Sequence, residues 1–109
     1  MDLHRYTIIV DEEDEEQCKQ AVDALADMFD HIGEVDKKHE TRLSASSYVP
    51  GSRIYGEPLF RICDKAEELG VRLLVIDTYP NGNGYTTTSY RVEGGKFKTL
   101  ETKVDDFTD

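Results

Sequence analysis

LHRYTIIVDEEDEEQCKQAVDALADMFDHIG, from Leu3 to Gly33, changes its hydrophobic period part-way along. Over Leu3 to Val10, Tyr6, Ile8 and Val10 fall on one face and β-branched residues are frequent, which predicts a strand. From Cys18 the period lengthens. Cys18, Ala21, Val22, Leu25, Met28, Phe29 and Ile32 recur every three or four residues, which predicts an amphipathic helix closed by Gly33. Six consecutive acids, Asp11 to Glu16, lie between the two patterns. Asp11 is placed to cap the helix, with Asp14 three residues on as a weak capping-box variant.

Beyond Gly33 the signals weaken and then recover. Residues 34–56 give the faintest pattern: DKKHE is polar, RLSASSYV reads as a strand near an edge, and PGSRIYG reads as a loop. Pro58 suits the first turn of a second helix, whose buried stripe is Leu59, Ile62, Cys63, Ala66 and Leu69, with Gly70 closing it. VRLLVI, Val71 to Ile76, is nearly continuous in apolar residues and is expected to be a central strand covered on both faces. PNGNG (80–84) and Glu93-Gly94-Gly95 are turns that separate two further strands, Tyr85 to Val92 and Phe97 to Val104. The order β-α-β-α-β-β-β implies one α+β domain over residues 1–109, with 105–109 as a frayed tail. It is a two-layer sandwich with both helices on one face of a mixed sheet, ending in an antiparallel meander. A ferredoxin-like core with an added hairpin satisfies this order.

The chain has 109 residues and a net charge of −10. Residues 1–40 hold 13 acids against Arg5, Lys19, Lys37 and Lys38, whereas residues 41–109 hold 10 acids against nine bases. That asymmetry predicts one strongly negative face, which repels nucleic acid and anionic membranes and attracts basic proteins. No stretch of the sequence is long and apolar enough for a transmembrane helix, and the N-terminal residues lack a signal-peptide pattern, so a cytoplasmic location is expected. Cys18 and Cys63 fall on the buried helical faces and are expected to be free core residues.

Acids at a helix N-terminus gain about 0.3–1 kcal/mol each from the macrodipole. With a cap at Asp11, that gain covers Glu12, Glu13 and Asp14 but fades by Glu15 and Glu16. The outer face of the helix continues with Asp23, Asp27 and Asp30, and only Lys19 answers them. Glu16, Asp23, Asp27 and Asp30 form one stripe of roughly 21 Å. B-DNA carries roughly twelve charges over that length, so the helix alone is a sparse mimic of nucleic acid that Glu34, Asp36 and Glu40 would have to extend. The candidate partner-binding residues are therefore Glu12, Glu13, Glu15, Glu16, Asp23, Asp27 and Asp30. Two other readings stay open: a plain solvated helix face, or a domain that oligomerises through its sheet and is acidic for solubility.

Metal and catalytic signals are thin. DEEDEE has no glycine and does not fit a calcium loop. His4, His31 and His39 lack ligand spacing, and no phosphate loop, dinucleotide-binding glycine pattern or nucleophile elbow occurs. No cofactor, metal or catalytic residue is expected. Asp77 followed by Glu101-Thr-Lys103 resembles the metal-binding core of PD-(D/E)xK nucleases, with Ile76 where that family has proline. The resemblance implies two carboxylates on Mg²⁺ and a lysine that orients water. Tyr48, Arg53, Tyr55 and Arg91 form a second candidate interface, because Tyr and Arg are enriched where proteins meet.

In size, charge and absence of catalytic motifs the chain resembles small acidic inhibitors. These include phage anti-restriction and anti-CRISPR proteins that block nucleic-acid sites, and bacterial immunity proteins that neutralise basic toxins. The resemblance implies a carboxylate-bearing helix seated in the Lys/Arg-rich groove of a nucleic-acid-binding protein. It implies no direct binding to nucleic acid or membrane, and it leaves a homodimer open.

Overall fold

The register of β1, Asp2–Val10, places its even-numbered residues against the helices: His4, Tyr6, Ile8 and Val10 are buried while Arg5 is exposed. The computed structural model describes residues 2–50 and 56–106, so Arg53 and Tyr55 lie outside the described residues. After β1 come α1 (Glu15–Ile32), β2 (Glu34–Lys38), β3 (Arg42–Val49), α2 (Glu57–Leu69), β4 (Leu73–Pro80), β5 (Gly84–Glu93) and β6 (Lys96–Asp106). The fold is an α+β sandwich in which two helices lie on one face of a six-stranded sheet, ordered β2-β3-β1-β4-β5-β6.

Every neighbouring pair in this sheet is antiparallel, not mixed as the chain order suggests. The crossover through α1 carries the chain past one position, and β3 then folds back into the gap between β2 and β1. Elements β1 to β4 thereby make the ferredoxin-like split β-α-β arrangement, and β5 and β6 extend it as a hairpin. β2 has no counterpart in the sequence reading, because Val35 is its one apolar residue and a short edge strand needs no more.

The core lies between sheet and helices. Leu25 and Phe29 of α1, Ile62 of α2 and Ile8, Leu43 and Val75 of the sheet are all fully buried. Each such side chain contributes about 1.5–3 kcal/mol by leaving water. β4 is central but not covered twice. Its Leu73 and Val75 are buried, whereas Leu74 and Ile76 are half-exposed on the face that carries no helix. The two C-terminal turns follow their sequence chemistry. Gly94 and Gly95 adopt φ of 61° and 75°, the paired left-handed geometry of a tight hairpin turn. Cys18 and Cys63 are buried free thiols. Neither helix is long and apolar enough to cross a membrane.

Candidate functional site

The two helices and the segment leading into α1 carry thirteen acids: nine over 11–32 and four over 57–69. Lys19, Arg61 and Lys65 are the bases there, so this layer holds −10, the whole net charge of the chain. The remaining ten acids and ten bases cancel. On the opposite face of the sheet stand Arg5, Lys37, Arg42, Arg91, Lys96, Lys98 and Lys103, with Glu34, Glu93, Glu101 and Asp105. The sandwich is thus electrostatically polarised from one face to the other. The sequence asymmetry pointed to this, and α2 adds to the acidic side.

The individual acids divide into two groups. Helix α1 begins at Glu15, and its cap is Asp14, whose Oδ1 accepts the Gln17 N–H at 2.9 Å. The expected cap, Asp11, instead lies 3.9 Å from Arg91 Nη1. Glu12 accepts the Arg72 backbone N–H at 3.0 Å and Arg72 Nε–H at 3.3 Å. Those bonds, the backbone one first, hold its carboxyl below the usual range. Asp23 pairs with Lys38 at 3.0 Å. Glu12 and Asp23 are therefore committed to neighbours within the chain.

Glu15 and Glu16 occupy the first turn, where the macrodipole favours acids. The dipole does reach them, because the helix starts three residues later than a cap at Asp11 would place it. Glu13, Asp27 and Asp30 have no such account. All three are exposed, and none forms an ion pair among the described residues. Asp27 and Asp30 also stand in the last two turns of α1, where the dipole disfavours negative charge and His31 is the basic residue.

The second candidate set does not gather. Tyr48 is 64% exposed beside Leu3, while Arg91 sits beside Leu74 and Ile9 at the other end of the same face. Six residues of β1 separate those rows, roughly 20 Å. Asp77, Glu101 and Lys103 do not converge either. Asp77 is buried on the helix side, whereas Glu101 and Lys103 share registers with Ser89 and Thr87 on the other face.

What Asp77 does instead escaped the sequence reading. His4 Nδ1 lies 2.9 Å and 3.0 Å from the two Asp77 carboxylate oxygens, with both side chains buried. The His4 ring stacks on Tyr79 at 4.6 Å and 12°. Tyr6, directly across from Asp77, buries a hydroxyl without a hydrogen-bond partner. Burial first, then the Asp77 charge and Tyr90, push that hydroxyl above its ordinary range. The His4 and Asp77 side chains are both buried where β1 and β4 pair, so their contact acts as a polar rivet between these strands. A buried His beside alternating core residues and a lone Asp ending an apolar strand were its sequence signals, 73 residues apart. No family model, curated protein or solved structure matches the chain.

Proposed function

We propose that the chain is a small acidic binding protein, an inhibitor that docks the outer face of α1 onto a basic, nucleic-acid-binding site of a partner protein in the cytoplasm. The observation that carries this reading is the acidic excess of the helix layer, thirteen acids against three bases, of which only Asp11, Glu12 and Asp23 are answered, among the described residues, by bases outside it. Glu13, Glu15, Glu16, Asp27 and Asp30 form the docking set. Glu12 and Asp23 support it from within, since their charges are already answered by Arg72 and Lys38. Placing Asp27 and Asp30 at the negative end of a helix costs stability, and a partner's lysines and arginines offset that cost. Long-range attraction speeds encounter and falls as salt screens it over about 10 Å at 0.1 M.

The test compares wild type with a variant carrying Glu16→Lys, Asp27→Lys and Asp30→Lys. The last two changes suit the helix dipole, so the variant keeps its fold. Each is immobilised, exposed to lysate at low salt and eluted with a salt gradient. The expected result is a basic protein held by wild type alone, released as salt rises, whose bound DNA or RNA is displaced by added wild type. Retention of the same proteins by both forms, or of none, overturns the reading.

A further inference from the structure

β6 ends the sheet, and its outer edge is paired to no strand among the described residues. It is 11 residues long, against five for β2 at the other edge. A long bare edge is a template for another strand unless something blocks it. The apolar groups beside it are exposed: Val104 at 63%, Leu100 at 46% and, on α2, Phe60 at 49%. Phe60 meets Phe97 of β6 edge-on at 5.9 Å.

The charges along β6 have a symmetry of their own. Its register against β5 passes from Ser89↔Glu101 to Tyr90↔Thr99, leaving Leu100 as the extra residue of a bulge. Counting through that bulge puts Lys96, Lys98, Glu101, Lys103 and Asp105 on the open face, and Phe97, Thr99, Thr102 and Val104 on the helix side. Beyond Lys96, which lies beside the turn, the open-face row from Lys98 to Asp105 therefore reads plus, minus, plus, minus. Turned end for end about Thr102, it reads minus, plus, minus, plus. The row complements its own reversed copy and repels a copy laid parallel to it.

We infer that β6 is a self-association edge, whose occupant is β6 of a second copy in antiparallel register about a two-fold axis through Thr102. Lys98 then faces Asp105 of the partner subunit, and Glu101 faces Lys103 of the partner subunit. The axis repeats both pairs, and Thr99 lies opposite Val104 of the partner subunit on the helix side. Backbone hydrogen bonds supply the affinity and the four charge pairs fix the register. The edge itself adds no repulsion to that of the net charge, because β6 carries three lysines against three acids and is neutral. Helix α1 packs over β1, β2 and β3, at the far side of the sheet. The axis stands perpendicular to the sheet, so the dimer is one twelve-stranded sheet with all four helices on the same side. This edge is independent of the docking role of α1, and it doubles the acidic surface presented in one direction.

The test mixes two variants. Lys98→Glu with Lys103→Glu makes the open-face row from 98 to 105 all negative, and Glu101→Lys with Asp105→Lys makes it all positive. Self-association is followed by sedimentation up to about 1 mM, where even weak pairing registers. Wild type is expected to form a concentration-dependent dimer. Each variant alone is expected to self-associate at least about tenfold more weakly. The equimolar mixture is expected to dimerise again, because all four pairs are then opposite in sign. Circular dichroism of each variant confirms the fold. A wild type that stays monomeric, variants that dimerise like wild type, or a mixture that stays monomeric overturns the inference.

Discussion

His4 and Asp77 are held 2.9 Å apart in the core, and they join the first strand of the chain to the fourth. Both are buried, so removing one leaves the other with its desolvation uncompensated, at about 3 kcal/mol or more. His4→Leu and Asp77→Leu are each expected to lower unfolding free energy by that order in urea titration. The double variant is expected to lose less than the sum, because two apolar groups of similar shape replace the pair. Strictly additive losses would show that the two side chains do not act together.

Tyr6 makes the opposite prediction. Its hydroxyl is buried without a partner, so Tyr6→Phe is expected to leave stability unchanged or raise it by about 0.5–1 kcal/mol. The difference grows in alkali. The unfolded tyrosine releases its proton near pH 10, while the folded one, raised by burial and by Asp77, retains it. Above about pH 10 the unfolded state binds fewer protons, so stability falls as pH rises, by at most about 1.4 kcal/mol per unit from this group. Cys63, pushed up to about 11, adds its own alkaline fall to both proteins. Wild type is thus expected to lose stability above pH 10 more steeply than Tyr6→Phe.

Periodicity made the helices and the long strands legible, because each buries a face of several residues. Ala21, Val22, Leu25 and Phe29 could only be one side of a helix. Glu34–Lys38 was not legible, since an edge strand with Val35 as its only inward apolar residue has no pattern to read. The His4–Asp77 pair was invisible for a different reason. Only the antiparallel register of β1 with β4 makes neighbours of residues so far apart in sequence. The acidic face was visible as composition, but which acids are free depended on Arg72, Lys38 and the true start of α1.

That start is testable. Asp14→Ala removes the cap on the Gln17 N–H and is expected to cost about 1 kcal/mol, whereas Asp11→Ala is expected to cost far less. Chemical denaturation of the two variants decides which residue begins the helix. Equal losses would move the cap back to Asp11.

Glu12 governs part of the acid limb. Its folded carboxyl is held low by the Arg72 backbone N–H and then by the guanidinium. Its contribution is complete above the unfolded value of about 4.3 and is lost as pH falls through the lower folded one. Glu12→Gln is therefore expected to be less stable than wild type at pH 7 and to lose less on acidification. Parallel pH profiles for the two proteins would contradict the Arg72 contact.

Gly33 ends α1 for a steric reason, not a conformational one. Its φ of −171° is ordinary extended backbone, and its N–H closes the helix on the Phe29 carbonyl at 2.8 Å. A Cβ there, however, would collide with the backbone oxygen of Ser46 on β3. Backbone cannot swing aside as a side chain can, so Gly33→Ala forces the end of α1 away from the sheet. The same junction holds Ser47 Oγ, which donates to the Ile32 carbonyl at 2.7 Å. Gly33→Ala is expected to cost about 1–3 kcal/mol, the range for overpacking a tight contact. Gly82→Ala, whose added Cβ meets nothing within 4 Å but sits at φ 92°, separates the two causes. It is expected to lose stability through backbone strain alone, without disturbing hydrogen exchange at the α1–β3 junction. Faster exchange at Ser46 and Ser47 in Gly33→Ala only would locate the damage at that contact. Equal exchange in both variants would refute the steric account.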